Sequence, residues 1–400
     1  QLDGIEGLNR EKVQGHIDKT HVWVSTVSTL SRNPDLMDRL NPDMMIVDEA
    51  GQLNEYLILG PISRAKRFVL VGDAKQLPAI SQIPDEQAKQ VSTELKGIGI
   101  HDLRASLFER LERRHGSDER LHGGLTYHAR MHPDVAWFVN QQFYDGQLKA
   151  AGNPSQLADW GWFSPEQKNP DLQCSLGKSR MIFFDTPNHD KQAKRNEAEI
   201  DRIIEILHAL QAMGRLDQLC EERIGIIAPF RLQCAQLRKK LHEVNPAWAE
   251  HIDVDTVERF QGSQRDIIIF SCTVGSIAEM GTLTSTQVAL QPGQRRVDRK
   301  LNVAISRTRE QFIMLGDAAV LRTNATYADL LDHIADQQLY FPHGNRDVII
   351  GTGGHPEETH AQDEIGYSEE YEKADDPITQ EPTATELQEV LPPIPDLAGA

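Results

Sequence analysis

The sequence predicts an α/β protein built on parallel sheets flanked by helices, and three observations carry that expectation. From residue 20 to 345, short apolar and β-branched runs alternate with amphipathic segments, the rhythm of βα units. Several of the runs are apolar at every position, as strands covered on both faces are. No internal repeat of fixed period competes with that rhythm.

In chain order, strands are expected at 21–26, 44–48, 68–72, 181–186, 224–229, 266–273 and 312–316, each an apolar run too short for a helix. Helices are expected at 104–114, 133–143, 196–213, 231–244 and 326–336, where apolar residues recur at three- and four-residue spacing. A polar, glycine-rich break at 115–123 marks a boundary, so the expected domains are 1–120 and 121–345. The segment 152–177, with three prolines and three Trp or Phe residues, reads as a packed surface insertion.

The chain has 400 residues, 42 basic and 60 acidic, for a net charge of −18, and 39% are hydrophobic. Those values describe a globular protein and exclude collagen-like, fully disordered and disulfide-scaffold classes. Apolar stretches fall short of the roughly 18 residues a spanning helix needs, so no membrane partner is expected. Cys174, Cys220, Cys234 and Cys272 are 46, 14 and 38 residues apart, without a C-x-x-C pair. They read as buried thiols of a reducing compartment, cytoplasm or nucleus. Residue 1 is Gln and no signal-peptide pattern follows, so the chain is expected to be a fragment.

An evenly spread charge of −18 would oppose a nucleic-acid partner, because phosphate contacts need Lys and Arg. The charge is not evenly spread. Residues 351–400 hold thirteen acids and one base, leaving only −6 on the first 350 residues. The stretch 346–400 reads as an acidic disordered tail, a solvated leash able to contact unknown proteins.

Met44-Met-Ile-Val-Asp-Glu-Ala-Gly-Gln52 is an apolar strand ending in two adjacent carboxylates. In nucleotide hydrolysis such a pair places one acid on magnesium and the next beside the attacking water. Taken alone, a D-E pair far more often caps a helix. Some twenty residues on, Phe68-Val-Leu-Val-Gly-Asp-Ala-Lys-Gln-Leu-Pro78 delivers a second set of polar groups from a second buried strand. Both would reach the carboxyl edge, where open α/β sheets bind ligands.

This order, V-D-E-A-x-Q and then V-G-D-x-x-Q-L-P, resembles motifs II and III of the superfamily 1 helicases. Further elements follow in that family's order. Ala129-Arg-Met-His-Pro133 resembles its motif IV, Ile224-Gly-Ile-Ile-Ala-Pro-Phe-Arg-Leu-Gln233 its I-G-I-I-x-P-Y-x-x-Q element, Asp255-Thr-Val-Glu-Arg-Phe-Gln-Gly-Ser-Gln-Arg-Asp266 its motif V, and Arg299-Lys-Leu-Asn-Val-Ala-Ile-Ser-Arg-Thr-Arg309 its motif VI. The chain is most similar to the clade holding the nonsense-mediated-decay helicase and the nuclease-helicase of Okazaki-fragment processing.

The resemblance implies a P-loop NTPase of RecA-like fold, with a truncated first RecA-like domain and a complete second one. It implies ATP and Mg2+ as cofactors, single-stranded DNA or RNA as partner, 5′ to 3′ movement and a monomeric motor. Carried over residue by residue, Asp48 holds the metal and Glu49 activates water, while Arg130 and Arg307 are arginine fingers. Gln52, Gly72, Asp73, Gln76, Gly262 and Gln264 line the nucleotide, and Ser25, Thr26 and Thr256 meet the nucleic-acid backbone. Arg309 reads equally as a catalytic group or as the partner of a neighbouring acid, and Arg295 to Lys300 equally as a basic footprint or a solvated helix start.

The chain departs from the family pattern in places. No G-x-x-x-x-G-K-[ST] occurs, and Gly177-Lys-Ser179 precedes a strand where a phosphate loop must follow one. His128 and Ala129 replace Gln and Tyr, Ala79 replaces a Pro, and Gln264 stands where an acid often contacts ribose. An alternative reading therefore stands beside the motor: a catalytically inactive helicase-like protein that binds or scaffolds single strands.

Overall fold

Two extended segments, β1 (Met45–Val47) and β2 (Phe68–Leu70), pair in parallel with Ile46 opposite Val69 in the computed structural model. The structure describes residues 15–153, 156, 172–187, 194–216, 223–289, 296–336 and 340–341. The expected tail at 346–400 and most of the expected insertion lie outside them. Alternation along the pair sends Val47 inward, to a small core with Ala50, Ile58, Ile62 and Leu107. That core lies against helix α2 (Glu55–Ile62) and the start of α3 (Leu107–His115). On the opposite face Ile46 is 67% exposed and Val69 43%.

The strand expected at 21–26 is not one. Val24 is 94% exposed, and the segment runs as irregular chain into helix α1 (Val27–Arg32). Its β-branched pattern suits a pleated surface, but a strand also needs a neighbour to supply hydrogen bonds, and among the described residues it has none.

The larger sheet follows α4 (Pro133–Phe143). Its elements are β3 (Met181–Asp185), α5 (Glu197–Ala212), β4 (Ile224–Ile227), α6 (Arg231–Val244), β5 (Asp253–Asp255), α7 (Val257–Phe260), β6 (Arg265–Ser271), α8 (Arg299–Ser306), β7 (Thr308–Gly316), α9 (Ala325–Asp336) and β8 (Tyr340–Phe341). The spatial order is β8-β3-β7-β6-β4-β5, every pair parallel. Met181, Phe183, Phe270 and Phe312 fill a core on one face, and Ile182, Phe184, Ile226, Ile269 and Trp248 fill one on the other. Burial on both faces is why these strands read as unbroken apolar runs.

Six of the seven expected strands and all five expected helices form, with small shifts at their ends. β7 begins at Thr308, before the apolar run, because Thr308 pairs with Arg265 across an irregularity. β5 escaped the sequence reading because Asp253-Val-Asp255 is an edge strand with a single apolar residue. Helix starts obey local chemistry: Asn196 accepts the Glu199 N–H ahead of α5, and Pro133 opens α4 behind the His132 ring, which accepts the Asp134 N–H. Cys234 and Cys272 are buried free thiols. No helix among the described residues is long and apolar enough to cross a membrane.

One acid lies wholly inside the larger sheet's carboxyl edge. Glu199 accepts from the Ser271 hydroxyl, the Thr273 N–H at 2.9 Å and the Asn196 amide at 3.0 Å. Thr273 takes a left-handed φ of 64°, costly for a β-branched residue, and the Glu199 carboxyl group holds it there. Burial pushes the Glu199 pKa up from its ordinary 4.5 to about 8. The folded chain therefore holds a proton that the unfolded chain releases above about pH 4.5. This group's stabilisation is complete below that value and is lost as pH rises through about 8. Denaturant titrations between about pH 5 and pH 9 should show the wild type losing stability relative to Glu199→Gln as pH rises. A constant difference would refute the assignment.

Candidate active site

The carboxyl ends of β1 and β2 lie side by side, so the loops that follow them meet. Gly72 makes this possible: a Cβ there would stand 3.0 Å from the Gly51 backbone nitrogen and 3.3 Å from the Phe108 ring. Asp48 and Glu49 follow β1 and are exposed. Glu49 is held at a left-handed φ of 52°, its N–H on Asp48 Oδ1 at 2.9 Å and its Oε2 accepting from the Gln52 amide at 2.7 Å. After β2, Asp73 Oδ1 accepts the Lys75 N–H at 2.9 Å, and its Oδ2 accepts from Gln76 Nε2 at 2.9 Å.

Two arginines face these loops from the larger sheet. Arg307 ends α8, and Arg130 precedes α4. Arg130 donates to Gln264 Oε1 and to the Ser306 carbonyl, both at 3.0 Å. Arg307 is 3% exposed and donates to Gln76 Oε1 at 3.3 Å, Ser306 Oγ at 3.2 Å and the Ser263 carbonyl at 3.5 Å. Every one of these acceptors is neutral. Among the described residues no carboxylate comes within ion-pair distance of either guanidinium, and Arg307 Nε has no hydrogen-bond partner.

The electrostatics follow from that burial. Loss of water, and then repulsion from Arg130, push the Arg307 pKa down to about 10, with Glu49, Tyr144 and Asp73 pulling it back. Arg130 is lowered by burial and by Arg309, and raised by Glu49. Both remain cationic at neutral pH. A buried cation without a counter-charge costs several kcal/mol, of the order of 3 or more when a pair is broken, and an anion entering the gap removes that cost.

The side chains therefore fit a polyanion between the exposed carboxylates and the paired arginines. Among the described residues no three His, Cys, Asp or Glu side chains gather as a metal cage. Magnesium does not require one, since it is ordinarily held by one or two carboxylates together with phosphate oxygens and water. The exposed Asp48 carboxylate suits that role.

Other expected positions fall out differently. Gly262, at φ 82°, turns the chain after α7, just before Gln264. Thr256 caps α7 without a side-chain bond and is buried. Ser25 and Thr26, expected at a strand end, lie in irregular chain, and Thr26 Oγ1 caps α1 by accepting the Thr29 N–H at 3.2 Å. Arg309 pairs with Asp266 at 3.0 Å, the structural alternative of its two readings. In the cluster ending at Lys300, Arg296 is exposed, but the helix start itself is buried and not solvated. Asp298 caps α8 from a buried position, Arg299 donates to the Ala74 carbonyl at 2.9 Å and to Glu109, and Lys300 approaches Glu258 at 3.6 Å. Tyr144, Arg299 and Asn302 were missed as site residues, although Tyr144 stands in the Phe-Tyr-Asp-Gly run at the end of α4 and the others within motif VI.

Two family models, each described as an AAA domain, match residues 3–82 and 103–319. The chain is similar to helicase sen1 of Schizosaccharomyces pombe, 29% identical over 338 residues, covering 83% of this chain and 18% of that protein. It is similar to the probable helicase MAGATAMA 3 of Arabidopsis thaliana at 27%, covering 75% and 33%. It is also similar to the DNA replication ATP-dependent helicase/nuclease DNA2 of Gallus gallus at 27%, covering 75% and 25%. The chain thus spans a third or less of the length of these relatives.

The Arg299–Glu109 ion pair joins α8 to α3 from a largely buried position. Arg299→Ala should destabilise the fold by about 3 kcal/mol, because it strands a carboxylate as well as removing the bond to Ala74. Urea denaturation measures this, and a loss below about 1 kcal/mol would mean that the pair is only a surface contact.

Proposed function

The chain belongs to the superfamily 1 helicases, in the clade of the nonsense-mediated-decay helicase and the Okazaki-fragment nuclease-helicase, and from that premise we propose that it is the motor part of an ATP-dependent helicase or translocase moving 5′ to 3′ on single-stranded nucleic acid. The observation that carries this reading is the pair of guanidiniums, Arg307 buried and Arg130 partly buried, holding only neutral oxygens opposite the exposed Asp48 and Glu49. ATP with Mg2+ supplies the phosphoanhydride and the charge that this gap lacks.

In this reading residues 1–120 contribute to a first RecA-like domain and 121–345 form the second, with the nucleotide between them. Asp48 binds the metal, and Glu49 takes the proton from the attacking water. The left-handed backbone at Glu49 and its bond from Gln52 aim that carboxylate. Gln76 reads the terminal phosphate, and Arg130 and Arg307 neutralise charge as it develops on the transferred group. Their planar forks can grip phosphate oxygens bidentately. Gly72, Asp73, Gly262 and Gln264 shape the surrounding loops, and Thr256 together with Ser25 and Thr26 contributes to the nucleic-acid track.

The phosphate-cradling part of the site is not encoded in these 400 residues, since they contain no G-x-x-x-x-G-K-[ST]. The bare Ile46 and Val69 face is in keeping with a first sheet that needs further cover. The second reading is a single-strand-binding scaffold without turnover.

ATP hydrolysis by the native full-length protein, with and without single-stranded DNA or RNA, separates the two. In the motor reading a polynucleotide stimulates turnover, and Glu49→Gln and Arg307→Ala each lower it by about a thousandfold while single-strand binding persists. The better stimulant identifies the track. Binding without turnover would leave the scaffold reading in place. The 400 residues by themselves should hydrolyse ATP negligibly, and robust Arg307-dependent turnover by them would refute that expectation.

A further inference from the structure

We propose that Tyr144 is a positioning residue that sets the Arg307 finger through Asp73 and Gln76, a role that rests on the motor reading of Arg307. The hydroxyl of Tyr144 donates to Asp73 Oδ2 at 2.5 Å and accepts from Asn302 Nδ2 at 3.0 Å. The same Asp73 oxygen accepts from Gln76 Nε2 at 2.9 Å, and Gln76 Oε1 accepts from Arg307 Nη2 at 3.3 Å. One unbroken chain of hydrogen bonds thus runs from α8, through the end of α4 and across the loop after β2, back to the finger that ends α8.

The chemistry of the members gives the chain a direction. An ionised carboxylate can only accept and a guanidinium can only donate, so a glutamine between them has one amide orientation available. Gln76 must turn its NH2 to Asp73 and its oxygen to Arg307. Asn302 spends both of its described bonds donating, to the Lys75 carbonyl at 2.8 Å and to Tyr144, while its buried Oδ1 has no partner among the described residues. Leaving that oxygen unbonded is costly, and the arrangement persists because it fixes the loop and the phenol together. The Lys75 ammonium, 5.0 Å from the centre of the Tyr144 ring and 3.7 Å from Asp145, holds the ring from its other side.

Tyr144 reaches Asp73 from α4, which the loop after β2 cannot influence by its own sequence. Removing only the hydroxyl leaves the ring, its cation contact and its packing. It frees Asp73 to rotate, and with Asp73 the amide that presents its oxygen to Arg307. The finger then has more than one resting position before phosphate arrives. Such a loss appears in the transition state rather than in ground-state binding.

The test is steady-state ATP hydrolysis by the native full-length protein with saturating single-stranded DNA or RNA, for wild type, Tyr144→Phe, Gln76→Ala and the double variant. Thermal melting of each is measured in parallel. The expected result is a kcat about tenfold lower in Tyr144→Phe, with KM for ATP within about twofold of wild type and a melting temperature lowered by at most a few degrees. In the Gln76→Ala background the hydroxyl should have no further effect, because the route it uses is gone. Wild-type kcat in Tyr144→Phe, or a loss that multiplies fully with that of Gln76→Ala, would overturn the proposal and leave Tyr144 a structural staple. A wild-type protein without nucleic-acid-stimulated turnover would overturn the motor reading and this one together.

Discussion

Two neighbouring guanidinium groups, Arg307 held out of water and Arg130 partly so, with only neutral oxygens to bond, set the terms for the structure around them. Arg130 and Arg307 repel, and each has lost solvation that no described carboxylate replaces. A protein that needed only stability would bring an acid into contact, as this one does at Arg309 with Asp266 and at Arg110 with Glu55. Here the nearby acids, Glu49 and Asp73, stay within electrostatic reach but are bonded elsewhere, to Asp48, Gln52, Gln76 and Tyr144. The unfavourable charge density is kept in place by the cores behind it. Arg307 ends a helix whose described residues are buried along its length, and Arg130 leads into α4, whose Val135, Phe138 and Val139 lie in the same large cluster.

That packing also explains why the loop after β2 belongs mechanically to the larger sheet. Leu77 is buried in the larger sheet's core, Arg299 and Asn302 hold the carbonyls of Ala74 and Lys75, and Tyr144 holds Asp73. The small sheet supplies the strand that delivers the loop, while the larger one fixes its shape. A change at either side of the gap is therefore felt by Gln76, which bonds to a group from each.

How much of this was legible depends on which force placed each residue. The strands of the larger sheet were readable because burial on both faces leaves apolar runs that few other structures produce, as at Ile224–Ile227 and Met181–Asp185. Motif order pointed to Asp48, Glu49, Gln76, Arg130 and Arg307 as candidates, and the fold brings their loops together. The segment at 21–26 misled because composition reports what a strand prefers and not whether a neighbour is present. Arg299 and Asn302 were invisible for a different reason. Their partners are backbone carbonyls, which carry no signature in the sequence, and a run of basic residues looks the same whether it is solvated or clamped across a gap. Tyr144 carried no signal of its own, since nothing local distinguishes a phenol that caps a turn from one that reaches a carboxylate 71 residues away.

The two departures from the family pattern nearest the arginines become intelligible in these terms. Gln264 stands where an acid is common, and its Oε1 accepts from Arg130 at 3.0 Å. A carboxylate at that distance would form an ion pair and neutralise the arginine, whereas an amide oxygen orients the guanidinium and leaves its charge uncompensated. Ala129, next to Arg130, is exposed and offers no ring on which a base could stack. Both substitutions act in the same direction. Under the motor reading proposed above, they would take away features that recognise a sugar or base and preserve those that hold charge, so that nucleotide binding on this side of the gap would rest on Arg130 and Arg307.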